Sequence, residues 1–221
     1  MNRVRVLVEG QTERTLVRDI LKPHFGSHEI DLHAVMLRPR GGIPQYAEAK
    51  DAVVRSLKED TALICTTMVD FYGMPTDWPG RDQANRCQSY AEKAVIVERS
   101  ILEDIAGSLG NSFNPCRLIP YVQMHEFEAL LFSSPKKLAE SLGDKKLYST
   151  FLTIRNKFST PEDINGHYDT CPSRRIGRVF QGFRKTIDGI TAASRIGLET
   201  MRQECPHFNE WITKLENLRN Q

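Results

Sequence analysis

Acidic side chains follow three apolar segments of this 221-residue chain, at the point where each segment ends. In chain order these acids are Glu9 and Glu13, then Asp70, then Glu126 and Glu128. Carboxylates brought close together repel each other unless a cation lies between them. Oxygen ligands favour a hard divalent ion such as Mg²⁺ or Mn²⁺. Such a site suits phosphoryl chemistry, in which a metal neutralises phosphate oxygens and activates a water.

The segments that must position these acids have the patterns of strands and helices in alternation. Strands are predicted at residues 4–8, 33–37, 62–69 and 118–122. Helices are predicted at 12–21, where Pro23 ends the run, and at 45–58 and 90–105. The alternation predicts an α/β fold with a mostly parallel sheet of about four strands flanked by helices. Ligands bind where the carboxyl ends of parallel strands meet, so we expect the acids to converge there.

The second part of the chain has mainly helical patterns. Its predicted helices are 129–132, 135–142, 145–157, 174–187, 192–205 and 208–218. We therefore expect an α/β domain over residues 1–132, which holds the acidic metal site, and a helical subdomain over residues 133–221 packed on it. The first part carries 15 basic and 18 acidic residues and the second carries 15 and 10. An acidic crevice beside a basic helical part fits this division.

Composition excludes several classes of protein. The net charge of +2 gives no global attraction to nucleic acid or to a membrane. The five cysteines are scattered and form no CxxC pair, which argues against a zinc ribbon or a disulfide framework and for reduced thiols. No apolar run is long enough for a signal peptide or a membrane span. We expect a cytoplasmic protein with no membrane association.

Basic residues and one histidine could assist phosphate chemistry. Arg174 and Arg175, with Arg178 behind them, could bind phosphate through their guanidinium groups or could form the solvated first turn of a helix. His125 is either a general base or phosphate donor, or a hydrogen-bonded structural residue. The basic glycine loop from Arg38 to Gly42 lacks the phosphate-binding P-loop pattern.

Aromatic residues in and near the loop 71–83 have two interpretations. Phe71, Tyr72, Trp78 and Tyr46 could stack on bases, or they could pack the loop against the protein. Packing is the more frequent use of such side chains. Near the C-terminus, the pattern of CPHFNEW predicts a helix start with Cys205, Phe208 and Trp211 in the core.

Several phrases of the sequence resemble a known family. VLVEGQTE, MVDFYG and MHEFEALLF are similar to the Toprim fold in nucleases of the overcoming-lysogenization-defect type. Over nearly its whole length the chain resembles the bacterial family known as domain of unknown function 4276. The phrases that carry this resemblance are VDFYGMPTDWPG (69–80), HEFEALLF (125–132), TPEDIN (160–165), PSRR (172–175) and IGLETMRQECPHFNEW (196–211).

The resemblance implies roles for individual acids. Glu9 matches the Toprim glutamate that serves as metal ligand or general acid/base, and Glu13 matches the second acid of the nuclease-type variant. Asp70 matches the first aspartate of the DxD motif, but Tyr72 stands where the second would be. Either Glu126 or Glu128 supplies the missing ligand, or fewer metals bind, or the protein does not cleave. Asp77, in the loop after Asp70, is a further candidate.

Two functions follow from these observations and the resemblance. The first is a Mg²⁺- or Mn²⁺-dependent phosphodiesterase, a nuclease acting on DNA or RNA in bacterial defence or nucleic-acid processing. Glu9, Asp70 and Glu126 or Glu128 would bind the metal, and Glu13 would bind a second metal or position water. Arg174 and Arg175 would hold the scissile phosphate.

The second function is a non-catalytic metal-binding module that partners an ATPase of the ABC type, since the resemblance implies such companions in defence loci and the chain has no ATP-binding loop. A receiver-like phosphoacceptor at Asp70 ranks last because the paired acids of that fold are missing. The oligomeric state, including a homo-oligomer, is left open.

Overall fold

The computed structural model describes residues 1–164, 167 and 169–220, so Asn165 of the phrase TPEDIN lies outside the described residues. Its centre is a parallel sheet in the order β2-β1-β3-β4, with β5 beside β3. The strands are β1 (Asn2–Val8), β2 (Ile30–Met36), β3 (Ile64–Asp70), β4 (Leu118–Ile119) and β5 (Val122–Gln123). Every described pairing is parallel, which confirms the predicted α/β class.

Helices cover both faces of the sheet and continue beyond it. The α-helices are α1 (Gln11–Leu16), α2 (Lys22–Gly26), α3 (Tyr46–Glu59), α4 (Arg81–Ala84), α5 (Tyr90–Leu109), α6 (Pro135–Ser141), α7 (Leu147–Arg155), α8 (Pro172–Val179), α9 (Ile190–Ile196), α10 (Leu198–Glu204) and α11 (Pro206–Glu216). Short 3₁₀ turns lie at Pro115–Arg117, Phe127–Ser133, Pro161–Asp163 and Asn217–Asn220, and π-helical turns lie at Val17–Leu21 and Lys185–Gly189. The helical character predicted for the second part of the chain is confirmed.

The last predicted strand is interrupted. Residues 118–122 form β4 and β5 separately, because Pro120 has no N–H to donate to the ladder. The hydroxyl of Thr67, on β3, bridges the gap: it accepts the N–H of Tyr121 at 3.0 Å and donates to the Tyr121 carbonyl at 2.9 Å. The chain therefore stays on the sheet and delivers residues 124–128 to its carboxyl edge.

Three predicted helix boundaries were wrong. The first helix continues past Pro23 to Gly26, because Pro23 stands in the first turn of α2, where its missing N–H costs no hydrogen bond. The predicted helix 192–205 is two helices, since Gly197 adopts a left-handed φ of +86° between α9 and α10. The predicted helix 174–187 ends at Val179, and the next turn begins only at Lys185.

Two hydrophobic clusters fill the two faces of the sheet. One joins β1 and β2 to the helices of the second part, including Phe208 and Trp211 of α11. The other joins β3 to α3 and α5. Trp211 donates its indole N–H to Thr66 Oγ1 on β3 at 2.8 Å, which ties the last long helix to the sheet. The first cluster thus runs across residue 132, and the division into two domains there stays a prediction.

Within the described residues, every helix is too short or too polar to cross a membrane. All five cysteines are free thiols. Cys65, Cys171 and Cys205 are buried, and the interior position predicted for Cys205, Phe208 and Trp211 is confirmed.

Candidate metal and phosphate site

The acid that follows β1 and the acid that ends β3 meet at the carboxyl edge of the sheet. In the parallel register Val8 lies opposite Met68, and the N–H of Glu9 donates to the Met68 carbonyl at 3.3 Å. The Glu9 side chain turns toward the neighbouring strand, where its Oε2 accepts the backbone N–H of Asp70 at 3.3 Å. Glu9 and Asp70, 61 residues apart in the chain, are therefore direct neighbours.

Two further acids reach the same edge from helical turns. Glu13 lies in the first turn of α1 and is buried; its Oε2 folds back over Gly10, 3.5 Å from where a Cβ would stand on that glycine. Glu128 lies in the turn Phe127–Ser133 with only 1% of its surface exposed. The short turn after β5 thus brings the Glu128 carboxylate to the edge that Glu9 and Asp70 share, although these residues are far apart in the sequence.

Burial and mutual repulsion raise the pKa of each of these acids. Burial raises the pKa of Glu13 and of Glu128 to about 7. Burial also raises the Asp70 pKa well above its ordinary value, and the charges of Glu9, Glu13 and Glu128 raise it further. The Glu9 pKa is raised by burial as well, although the Asp70 N–H opposes this. The carboxyl edge of the sheet thus carries more carboxylate charge than the nearby cations neutralise.

Lys185 is a residue at this edge that the sequence pattern does not identify. Its ammonium lies 3.1 and 3.2 Å from the two oxygens of Glu128 and 3.6 Å from Glu126 Oε1. Burial lowers the Lys185 pKa, but the carboxylates of Glu128 and Glu126 outweigh this and raise it above its usual value. The Lys185 side chain keeps 47% of its surface exposed, so it lies between the acidic cluster and the solvent.

Glu126 has a different environment from the other acids. Its Oε2 accepts the backbone N–H of Ser173 at 2.9 Å, and its Oε1 accepts the Ser173 hydroxyl at 3.0 Å. Ser173 lies in the first turn of α8, where a carboxylate satisfies unpaired N–H groups and the helix dipole. Glu126 therefore positions α8, and of the two acids left open by the sequence, Glu128 is better placed to ligate a metal.

A divalent metal fits the chemistry of this edge. Asp70 Oδ1 is buried and has no hydrogen-bond partner among the described residues. A buried, unpaired carboxylate oxygen is costly unless a proton or a cation satisfies it. The donors at the edge are all carboxylate oxygens, which Mg²⁺ and Mn²⁺ prefer. No three of these acids bring oxygens within 4.8 Å of one another, so side-chain rotation is needed to close them on one ion.

A cavity of about 760 Å³, here called the Lys185 cavity, opens beside the acids. It is lined by Tyr72, Glu126, Asp169, Cys171, Ser173, Arg174, Gly177, Arg178, Gln181, Phe183 and Lys185. Arg174 and Arg178, both on α8, line the cavity, and Arg178 pairs with Asp169 at 3.4 Å. The cavity therefore joins the acidic edge to the basic helix.

The structure separates the two arginines that the sequence placed together. Arg174 lines the Lys185 cavity, whereas Arg175 does not. The Arg175 guanidinium donates to the Thr170 carbonyl and lies 5.3 Å from the centre of the Phe158 ring. One residue along a helix turns a side chain by roughly a quarter of a circle, so neighbours cannot both face one cavity. Arg174 is therefore at this cavity, whereas Arg175 packs against Phe158, and the phosphate-binding role expected for Arg175 stays a prediction.

Tyr72 and His125 form the wall next to the acids. The N–H of Tyr72 donates to the His125 carbonyl at 3.0 Å, and His125 holds a left-handed φ of +65°. Burial, with the nearby charge of Lys93, lowers the pKa of His125 to about 4, which leaves the imidazole neutral at physiological pH. Its ring lies edge-on to Phe71, 6.4 Å between centroids.

Other candidate residues have structural roles. Asp77 is not at the acidic edge: its Oδ2 accepts the N–H of Tyr46 at 2.7 Å at the start of α3. Arg38, at the start of the glycine loop, pairs with Glu48 at 2.6 Å. Trp78 is buried and donates its indole N–H to the Pro44 carbonyl at 2.9 Å, and its packing role is confirmed.

A second group of ligand-type side chains lies away from the sheet edge. Among the described residues, His24, His28 and Glu216 are the group whose ligand atoms all lie within 4.8 Å of one another. Glu216 is already engaged there: it accepts from His24 Nε2 at 2.7 Å and from both terminal nitrogens of Arg202 at 2.6 and 3.0 Å. This network links α2, α10 and α11.

Comparison with known proteins gives a family and one structural neighbour. Residues 8–216 match the sequence profile of the domain of unknown function DUF4276. The curated proteins contain no match. Among solved structures, the C-terminal region of the OLD protein of Xanthomonas campestris pv. campestris is similar at 14% identity and a TM-score of 0.44, over 100% of this chain and 97% of that one. At that score no residue role is transferred.

Proposed function

This chain belongs to the DUF4276 family, and from the geometry of its acidic edge we propose that it is a divalent-metal-dependent phosphodiesterase that cleaves nucleic acid. The observation that supports this most directly is the buried Asp70 carboxyl with its unpartnered Oδ1. Glu9 touches the same residue, and Glu13 and Glu128 repel it. Four acids thus face a single lysine, a deficit of positive charge that a divalent ion would correct.

In this proposal Glu9, Asp70 and Glu128 hold the metal, which is Mg²⁺ or Mn²⁺. When bound, the metal would neutralise phosphate oxygens and lower the pKa of a water. Glu126 holds α8 in place, and α8 in turn presents Arg174 to the Lys185 cavity. Lys185 and Arg174 bind the non-bridging oxygens of the phosphate, where charge increases in the transition state.

Hydrolysis of a phosphodiester forms one P–O bond to water and breaks one P–O ester bond, so a proton must leave the water and another must reach the departing oxygen. Glu13 is suited to accept the first proton because it is a buried carboxylate beside the proposed ligands Glu9 and Asp70 and is not itself needed to hold the first metal. Lys185, whose pKa is raised above its usual value by Glu128 and Glu126, is suited to stabilise the negative charge of the departing oxygen, which takes its proton from water. Glu13 could instead hold a second metal.

A second candidate function is a non-catalytic metal-binding module that acts with an ABC-type ATPase. The observation that favours it is Tyr72, a poor ligand for Mg²⁺ at the position of the second acid in the DxD pattern. In that case the same acids bind Mn²⁺ but the protein does not turn over substrate. Binding of Mn²⁺ without cleavage, together with co-purification of an ATPase from the native host, would favour this function over the first.

The experiment that tests the first function is cleavage of labelled DNA and RNA, single-stranded and duplex, with Mg²⁺ or Mn²⁺. We expect metal-dependent cleavage by the wild-type chain. Asp70→Asn and Glu9→Gln should each reduce the rate by about 100-fold or more, because each removes a metal ligand while preserving side-chain size.

The matched control is Glu92→Gln, the same chemical change at an exposed position in the first turn of α5. It should cleave at the wild-type rate. If Asp70→Asn and Glu9→Gln cleave as fast as Glu92→Gln, then the activity belongs to another site or to a contaminant and the proposal fails.

A further inference from the structure

Tyr72 lines two cavities, and one of them, the Lys185 cavity, lies beside the acidic edge. The second, here called the Phe71 cavity, has a volume of about 270 Å³. It is lined by Phe71, Tyr72, Arg81, Asn85, Lys93, His125 and His167. Because Tyr72 lines both cavities, a ligand that leaves the Lys185 cavity past this ring enters the Phe71 cavity.

The Phe71 cavity carries positive charge that the protein does not neutralise locally. The Arg81 guanidinium lies 4.0 Å from the centre of the Phe71 ring, and Lys93 Nζ lies 5.8 Å from the same centre. Arg81 donates to the Met74 carbonyl at 3.3 Å and to Asn85 Oδ1. In the described part of the chain neither cation forms an ion pair; Asp82 attracts Arg81 only from a distance.

Two cations held in this way make an anion site. Arg81 is half-buried, and its burial lowers its pKa, which shows that the surroundings disfavour the bare charge. The buried Phe71 ring and the hydrogen bonds that Arg81 donates hold the Arg81 guanidinium in place. Little side-chain freedom therefore remains to be lost when an anion binds. An arginine and a lysine on one aromatic surface match the oxygens of a phosphate.

We propose that the Phe71 cavity binds a backbone phosphate of single-stranded nucleic acid, next to the nucleotide whose phosphate lies in the Lys185 cavity. This inference rests on the proposed function only for the phosphate in the Lys185 cavity. Tyr72, half-buried between the two cavities, would stack on the base that lies between the two phosphates. A base can reach such a ring only when it is outside a duplex stack, so an unpaired strand is preferred.

Binding without cleavage tests this inference. Fluorescein-labelled single-stranded DNA, single-stranded RNA of the same sequence and the matched DNA duplex are titrated with the Asp70→Asn chain in EDTA, and anisotropy gives the dissociation constants. We expect the single strands to bind about tenfold or more tightly than the duplex. The DNA and RNA arms show which sugar the cavity accepts.

Neutralising variants in the Asp70→Asn background locate the contact. Arg81→Gln and Lys93→Gln should each weaken single-strand binding about fivefold or more and reduce the salt dependence, by about 0.7 in the log–log slope for each lost phosphate contact. Tyr72→Ala should weaken binding about tenfold, and Tyr72→Phe should not. The control is Lys58→Gln, which removes an exposed charge at the far end of α3 and should change nothing.

The outcomes of the two proposals are separable. If Arg81→Gln and Lys93→Gln bind as tightly as Lys58→Gln, or if the duplex binds as tightly as the single strand, this inference is wrong even when the wild-type chain cleaves. If both variants lose affinity but the wild-type chain never cleaves, the anion site stands and the phosphodiesterase proposal fails.

Discussion

Asp70 and Glu162 are both buried carboxylates, but they are satisfied in opposite ways. Glu162 is fully buried, and its two oxygens accept the backbone N–H groups of His207 and Phe208, each at 2.9 Å, at the start of α11. Asp70 has an oxygen with no partner and has three acids as electrostatic neighbours. Glu162 caps the N-terminus of a helix, whereas the negative charge of Asp70 has no cation or donor that balances it among the described residues.

The difference shows which property points to function. Burial raises the pKa of both groups, so a raised pKa alone does not distinguish them. At Glu162 the N–H groups of the helix oppose the rise, as expected for a carboxylate selected for stability. At Asp70 the neighbouring charges add to it, an arrangement that costs stability and is typical of active sites.

Replacing each acid should therefore change stability in opposite directions. Glu162→Ala leaves two helix N–H groups buried without an acceptor, and we expect a loss of about 3 kcal/mol in the free energy of unfolding. Asp70→Asn removes a source of repulsion and should leave the metal-free protein equally stable or more stable. Urea unfolding in EDTA measures both.

Glu92→Gln again serves as the reference, because it removes an exposed charge from the first turn of α5. It should change the unfolding free energy by less than about 0.5 kcal/mol. A large loss of stability in Asp70→Asn would place Asp70 with Glu162 as a structural acid and remove the main support for the metal site.

Metal binding should stabilise the protein through the sheet edge that contains Asp70, and Glu162, at the start of α11, should have no part in it. Ligand that binds the folded state only adds about 2.7 kcal/mol at 100 times its dissociation constant. We expect Mn²⁺ to raise the melting temperature of the wild-type chain and of Glu92→Gln, but not of Asp70→Asn or Glu128→Gln. An equal shift in all four proteins would mean that Mn²⁺ binds elsewhere, and His24→Ala would then test the group at α2.

The pH dependence of stability gives a smaller, more specific effect. The Glu128 pKa rises from an ordinary 4.5 to about 7 in the folded protein, so between these values the folded state keeps a proton that the unfolded state has lost. This contribution favours folding at low pH and is lost as the pH rises toward 7. From pH 5.5 to 6.5 it amounts to at most about 1.4 kcal/mol.

Metal-free unfolding at these two pH values should therefore show a flatter dependence for Glu128→Gln than for the wild-type chain. Glu103→Gln, which alters an exposed ion pair with Arg99 on α5, should keep the wild-type dependence. Identical slopes for wild type and Glu128→Gln would contradict the raised pKa.

The sheet and the convergence of its acids could be predicted because both follow from local patterns. The strand at 64–70 is mostly uncharged and buried on both faces, and a parallel sheet brings the ends of its strands to one edge. Glu9 and Asp70 could thus be paired from sequence. Glu128 could only be named as one of two alternatives, because the choice depends on Ser173 binding Glu126.

Lys185 could not be found in this way. Its position depends on the break after Val179 and on the turn Lys185–Gly189, both hidden inside a continuous helical pattern. The cavity beside Tyr72 was missed for a related reason, since Arg81 and Lys93 meet only through the Phe71 ring. Side-chain placement of this kind is decided by tertiary packing, which periodicity does not encode.

The indole of Trp211 makes the last long helix part of the wall that supports β3. It is stacked on Tyr121 at 4.3 Å between ring centroids and bonded to Thr66 within the strand that ends at Asp70. Shortening the chain before Pro206 would uncover this aromatic stack and loosen the strand directly beneath the acids. The strand that ends at Asp70 is thus supported by a side chain that lies 145 positions further along the sequence than its hydrogen-bond partner Thr66.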